Sequence, residues 1–368
     1  MMSAARGACH YAAPAGLARG TAQESGVTEQ FWLGVFIILL GGGLNGSFPL
    51  PMKYSRRWRW ENTWLVFALT ALLALPWILA GGFVPHLSQV YREVPARTLA
   101  LPIALGFLWG IAQTTFGLGL KALGMAFAFP IVAGLSALFG SLLPLLVLSP
   151  QDLLQPRGIL LFVSIPVLFV GLGFYAGAGL RRDREQTEGS TSVSPLRGGF
   201  MVGLAICIFT GVVGPSWNLG FAFSGDVVGK SLDLGASPIT STYAVWALVL
   251  TAGFIPNLLY CAFLLFRDHG WRVFASAGCA KEAFLGMSMG VLWLSGIVLY
   301  GIGATLVGKY GTSVGFALFV SALILTSNTE GIMAGEWKGT TRRTKRLLAA
   351  GAAVVIVAVV VLSLGGLF

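Results

Sequence analysis

Charge is what this chain has least of. Only 10% of its 368 residues are Asp, Glu, Lys or Arg, against roughly a quarter in an ordinary soluble protein. Histidine is nearly absent, and His10, His86 and His269 all lie outside the apolar runs. That takes away the side chain most often used to carry a proton near neutrality. The four cysteines, Cys9, Cys207, Cys261 and Cys279, show neither metal-ligand spacing nor a disulfide framework. Period-two alternation is missing, which excludes a transmembrane barrel. No phosphate-cradling loop is present, and no apolar run holds a Ser/His pair or an acidic cluster. ATP-driven transport and an integral-membrane enzyme are therefore disfavoured, and no cofactor or metal is expected.

What the chain has instead is hydrophobicity: 56% apolar residues and a mean hydropathy of +0.80. Runs of about 20 apolar residues, the length that crosses a bilayer as a helix, predict ten spans. Their limits are 31–52, 63–82, 99–120, 123–148, 158–179, 198–222, 239–266, 284–307, 311–334 and 347–367. The fold class is an all-α polytopic membrane protein.

The net charge of +10 is distributed by loop. Connections after spans 1, 3, 5, 7 and 9 hold 17 Lys and Arg residues, and those after spans 2, 4, 6 and 8 hold five. By the positive-inside rule the odd-numbered connections are cytoplasmic, so both termini face outward. The basic clusters Lys53–Arg59, Arg181–Arg184 and Lys338–Arg346 then set topology and meet lipid headgroups; no nucleic-acid partner is expected. Residues 1–30 lack the apolar core of a signal peptide and read as a disordered extension. The hydrophilic segment 181–197 divides the remainder into a first half, 31–180, and a second half, 198–368.

A fingerprint occurs once in each half. Trp109 is followed by Phe116-Gly117-Leu118-Gly119, and Trp293 by Tyr300-Gly301-Ile302-Gly303 at the same spacing, with Gly124 and Gly308 also in register. The copies lie 184 residues apart. Five spans per half force the second copy to insert upside down, so the chain is expected to be two inverted five-helix repeats. That is a common plan of secondary transporters, with substrate bound between the halves. The first helices of the halves also align, Gly42-x-x-Asn45-x-Ser47 with Gly211-x-x-Gly214-x-Ser216. Three glycines and Pro49 in one copy, and Gly214-Pro215 in the other, predict breaks or kinks in spans 1 and 6. Glycines four apart, such as Gly42/Gly46, Gly106/Gly110 and Gly286/Gly290, predict closely packed helices and leave a homodimer open.

Four stretches carry a resemblance to a known family: Lys53 with Trp60-Glu61-x-x-Trp64 and Leu75-Pro76-Trp77; Trp109-Gly110-Ile111 through Phe116-Gly117-Leu118 and Leu123-Gly124-Met125; Leu234-Gly235 with Pro238 and Asn257-Leu258; and Gly335-Glu336-Trp337-Lys338. Over most of 31–368 the chain resembles the L-rhamnose–proton symporters of the drug/metabolite transporter superfamily. The resemblance implies proton-coupled uptake of L-rhamnose or a related sugar across the bacterial inner membrane. Export of amino acids or other small metabolites is the alternative within that superfamily.

A sugar site pairs aromatic faces with a few amides or hydroxyls in mostly apolar walls. The candidates are Asn45 and Ser47 in span 1, Trp109 and Gln113 in span 3, Trp217 and Asn218 in span 6, Asn257 in span 7, and Trp293 and Tyr300 in span 8. Gln113 lies one turn beyond Trp109 on the same face, whereas no amide accompanies Trp293. The tryptophans have an alternative place at the membrane interface, where Trp58, Trp60, Trp64, Trp271 and Trp337 are expected. Coupling needs a carboxylate desolvated within a span. Glu330, the acid farthest inside one, is the candidate, with a solvated boundary position as its alternative.

Overall fold

A computed structural model describes residues 15–123, 125–148, 150–187, 197–275, 278–335 and 337–364. Among these residues every regular element is helical. Ten helices are long and apolar enough to cross a membrane, at Glu29–Tyr54, Trp60–Phe83, Ala96–Gly119, Ile131–Leu148, Gly158–Gln186, Met201–Asp233, Tyr243–Arg267, Cys279–Tyr310, Val314–Met333 and Arg342–Val361. They correspond one to one with the ten spans expected, and the chain is a multi-pass integral membrane protein.

The break at Gly214-Pro215 is present. One helix of span 6 ends at Val213 and the next starts at Ser216, as expected where proline supplies no backbone donor. Span 1 differs from expectation. Its helix runs unbroken from Ala15 through the three glycines to Ser47, and only then gives way to the 3-10 turn Leu50–Tyr54 beside Pro49 and Pro51. The glycines are spent on proximity instead. A Cβ built on Gly41 would stand 2.7 Å from the Gly296 carbonyl oxygen, and one on Gly42 2.4 Å from that of Phe319. Residues 15–30, read as part of a disordered extension, extend this helix, whose Ala- and Leu-containing start has good helix propensity. Residues 1–14, with Cys9, lie outside the described residues. In the segment between the halves, span 5 continues as helix to Thr187 and span 6 starts at Arg197; residues 188–196 lie outside the described residues.

Span 2 holds a feature the hydropathy does not show. Between Trp60–Ala68 and Leu75–Phe83 the helix widens into a π segment, Leu69–Ala74. Leu75 N–H bonds back to Thr70, so the wide turn absorbs the donor that Pro76 lacks.

Packing follows a reciprocal pattern. Span 1 lies against spans 8 and 9, and span 6 against spans 3 and 4; span 3 lies against span 7, span 2 against span 8, and span 5 pairs with span 10. Glycine makes the closest approaches. Gly34 meets Gly303, and Gly110 meets Gly253. Gly42/Gly46 seat against span 9, Gly106/Gly110 against span 7, and Gly286/Gly290 against span 2, so all three pairs form helix–helix contacts. Ionic ties join connections at one end of the bundle, Lys230 to Glu93 and Lys309 to Asp152. At the other end the Glu185 carboxylate accepts from the Thr341 N–H and from the hydroxyls of Thr341 and Thr344 at 2.6–2.8 Å.

A Cβ at Gly296 would lie 2.6 Å from the Gly41 carbonyl oxygen, whereas one at Gly81 has nothing within 4 Å. Gly296→Ala is therefore expected to cost about 1–3 kcal/mol through overpacking, and Gly81→Ala nothing. Thermal unfolding of the purified variants in one detergent checks the contrast.

Candidate functional site

The twin tryptophans meet at the centre. Trp109 of span 3 and Trp293 of span 8 stack with ring centroids 5.5 Å apart and planes 21° from parallel. Both are buried, at 4% and 5% exposure. Phe67 of span 2 stands edge-on to Trp293 at 6.1 Å and continues to Trp64, which stacks on Trp60 at 5.0 Å. Phe48 at the end of span 1 stacks on Phe67. Trp60, Trp64 and Phe67 recur at helical spacing and form one face of span 2. The result is an aromatic strip running from the half-buried Trp60 to the central stack.

The glycines of the fingerprint explain how the strip is seated. Gly117, two turns past Trp109, faces Trp60, and Gly301 faces the indole of Trp246, which a Cβ built there would approach to 2.8 Å. Gly119 gives room to Cys207 of span 6, and Gly303 to Gly34 of span 1. Gly124 lies outside the described residues.

The four amides separate by what they already bond. Asn45 donates to the Trp293 carbonyl at 3.3 Å and so ties span 1 to span 8 behind the stack. Asn257, next to Pro256, donates to its own helix at Gly253 and accepts from Trp64 Nε1 at 2.9 Å. Asn218 is wholly buried and fully engaged: Nδ2 donates to the carbonyls of Gly140 and Thr312 at 2.9 Å, and Oδ1 accepts from the Tyr300 hydroxyl. Gln113 is half-buried between Trp109 and Gly117 on one face of span 3, and its amide has no bond among those of the described residues. Beside it, the Thr115 hydroxyl meets that of Thr210 in span 6 at 2.9 Å.

Eight of the nine expected residues thus fall into two groups. Asn45, Trp109, Gln113, Asn257 and Trp293 belong to the aromatic strip and its immediate ties. Trp217, Asn218 and Tyr300 belong to a second cluster, two turns along span 8, with Phe221, Trp246, Phe316 and Phe319. Every member of that cluster is buried. Ser47 joins neither group, because its hydroxyl bonds the Gly43 carbonyl of its own helix. Glu330 is half-exposed in the last turn of span 9 and makes no side-chain bond among the described residues.

Trp64 corrects an expectation. It is not a lipid-interface residue but a buried one with its indole N–H satisfied. Trp58 and Trp337 are buried too, Trp58 against Phe274 and Trp337 under the Arg182 guanidinium. Trp60, Trp64 and Phe67 were missed as site residues although their spacing was visible; a tryptophan near a span end looks the same in sequence whether it meets lipid or protein.

The family model for L-rhamnose-proton symport protein (RhaT) matches residues 27–367, and the chain belongs to that family. An L-rhamnose-proton symporter of Klebsiella pneumoniae subsp. pneumoniae is 23% identical over 340 residues, covering 90% of this chain and 97% of the relative. One from Yersinia pestis (strain Pestoides F) is 25% identical over 345 residues with the same coverage.

Asn218→Ala strands the Tyr300 hydroxyl and two carbonyls in a dry cluster, each orphaned group costing about 1–3 kcal/mol. A large loss of thermal stability in detergent is expected, whereas Ser47→Ala changes little.

Proposed function

We propose that this chain is a secondary active transporter that takes up L-rhamnose or a related sugar together with protons, by alternating access, across a bacterial inner membrane. The observation that carries the reading is the aromatic strip at the meeting of spans 2, 3 and 8, with the uncommitted amide of Gln113 beside it. Aromatic faces hold the apolar face of a pyranose ring, and an amide that owes nothing to its own fold orients the hydroxyls. Membership of a symporter family, whose relatives are named for rhamnose and proton, favours uptake over export.

Trp109, Trp293 and Gln113 form the substrate contact. Asn45 holds the Trp293 backbone in place, and Asn257 holds Trp64. The cluster of Trp217, Asn218 and Tyr300 serves as the closed gate on the far side of the stack from the basic connections. Its contact with sugar is confined to the state in which it opens. The broken span 6 enters that gate at Ser216, so the flexible joint at Pro215 lies beside the groups that must part.

Two inverted halves fit this reading. At the offset of the fingerprint, Gly106 corresponds to Gly290, and the two seat against spans 7 and 2, which are themselves counterparts. Gly117 against Trp60 repeats as Gly301 against Trp246. The basic connections then face the cytoplasm and both termini face outward. A reporter fused to the C-terminus is expected to be active only in its extracytoplasmic form.

Purified protein in liposomes is expected to accumulate labelled L-rhamnose under an inward proton gradient and to lose accumulation when a protonophore is added. Absence of gradient-driven uptake of any deoxysugar overturns the reading. Gln113→Ala is expected to raise the half-saturating sugar concentration about tenfold, equivalent to about 1.4 kcal/mol. Trp109→Ala should be more severe, because it also removes half of the stack. Initial-rate measurements in the same liposomes test both.

A further inference from the structure

Two carboxylates are buried where spans 2 and 8 begin, and they are treated very differently. Glu282 opens span 8 at 3% exposure and is saturated: it accepts from the Ser55 hydroxyl at 2.5 Å and from the N–H groups of Arg56 and Arg57 at 3.3 Å. It pins the turn between spans 1 and 2. Glu61 opens span 2 at 8% exposure, and its Oε1 has no hydrogen-bond partner. Next to it Asn62 is at 0% exposure; its Nδ2 donates to the Gly270 carbonyl at 3.0 Å while its Oδ1 has no partner. Both orphaned oxygens lie beside Gly270, each 3.7 Å from where a Cβ on it would stand.

Neither of these two buried oxygens has a hydrogen-bond donor among the described residues. Arg267 reaches Glu61 through charge alone, not through a hydrogen bond. Arg267, at the end of span 7, is held by Asp268 through Nε–Oδ1 at 2.8 Å and Nη2–Oδ2 at 2.9 Å. That pairing holds the Asp268 carboxyl below its ordinary range. Arg59, on the flank of span 2, is directed to the Asp268 carbonyl at 3.2 Å. From span 7 the groups on this side are Cys261, a buried thiol, and Tyr260. From the connection that follows come His269 and Arg272, and from span 8 Glu282, already saturated. An ionised carboxylate buried without a directly bonded cation is costly.

We propose that Glu61 is the proton-binding carboxylate of the symporter, with the Asn62 amide oxygen as its partner. The assignment rests on the proton-coupled reading above and replaces Glu330 as the titrating acid. A proton from water joins the Glu61 carboxylate and neutralises the seam between spans 2 and 7; its release to water on the other side of the cycle returns the charge. Glu61 is three steps from the central tryptophan stack. One turn along span 2, Trp64 bonds Asn257 of span 7; Phe67 follows; Phe67 then meets Trp293. The π segment Leu69–Ala74 lies directly beyond and gives span 2 a place to flex.

Dicyclohexylcarbodiimide, which modifies protonated carboxyls in apolar surroundings, provides a test that needs no sugar. In proteoliposomes the adduct, located by mass spectrometry, is expected on Glu61 and is expected to decline as pH rises. No adduct on Glu61, or one indifferent to pH, overturns the proposal. In transport, Glu61→Gln is expected to lose proton-driven L-rhamnose accumulation while counterflow exchange persists and becomes independent of pH. Undiminished accumulation in Glu61→Gln, loss of accumulation in Glu330→Gln alone, or accumulation driven by a sodium gradient at equal pH each overturns it. A pH-dependent adduct on Glu61 in a wild type that moves no rhamnose upholds the proton site and rejects the sugar.

Discussion

Backbone-to-backbone contact at glycine is the constraint on which this bundle depends. In lipid, apolar side chains gain nothing by turning inward, so helices associate through close packing and interhelical hydrogen bonds. Span 8 illustrates the consequence. It meets span 1 through Gly296 against Gly41 and Gly303 against Gly34, and span 2 through Gly286 and Gly290. Because these surfaces leave no room for a methyl group, span 8 has a fixed rotation about its axis. Trp293 is thereby aimed at Trp109, and Tyr300 at Asn218. The aromatic geometry of the site is set by residues that carry no side chain.

Polar groups in such an interior divide into ties and tools. Asn218 is a tie, joining spans 4, 6 and 8 and the connection before span 9 in one dry node. Asn45 and Asn257 are ties as well, each holding a tryptophan or its backbone. Gln113 and the Oε1 of Glu61 have no hydrogen-bond partner among the described residues, and a polar group in that position inside a membrane is a candidate functional group. The aromatic strip and the Glu61 carboxylate share span 2, so a change at either bears on one helix.

Much of the fold was legible in the sequence. Ten spans appeared at their places because each is an unbroken apolar run, and the joint in span 6 because proline acts on its own helix. The triple glycine of span 1 misled for an equally physical reason. Glycine weakens an isolated helix, yet here Gly41, Gly42 and Gly46 buy contact with spans 8 and 9, which stabilises the helix they interrupt. The acid farthest along a span, Glu330, likewise proved half-exposed, whereas Glu61 near a span end is sealed by the Gly270 segment.

By itself the sequence determined the membrane, the number of crossings, the twin fingerprint and the family likeness, since hydropathy, charge and repetition are properties of consecutive residues. Only the tertiary structure decided which polar groups are spent and which are free. Asn45 and Trp293 are bonded across 248 residues, Glu282 and Ser55 across 227, Trp64 and Asn257 across 193. Whether an amide or a carboxylate is a brace or a binding group depends on a partner from a distant span, and no window along the chain contains both.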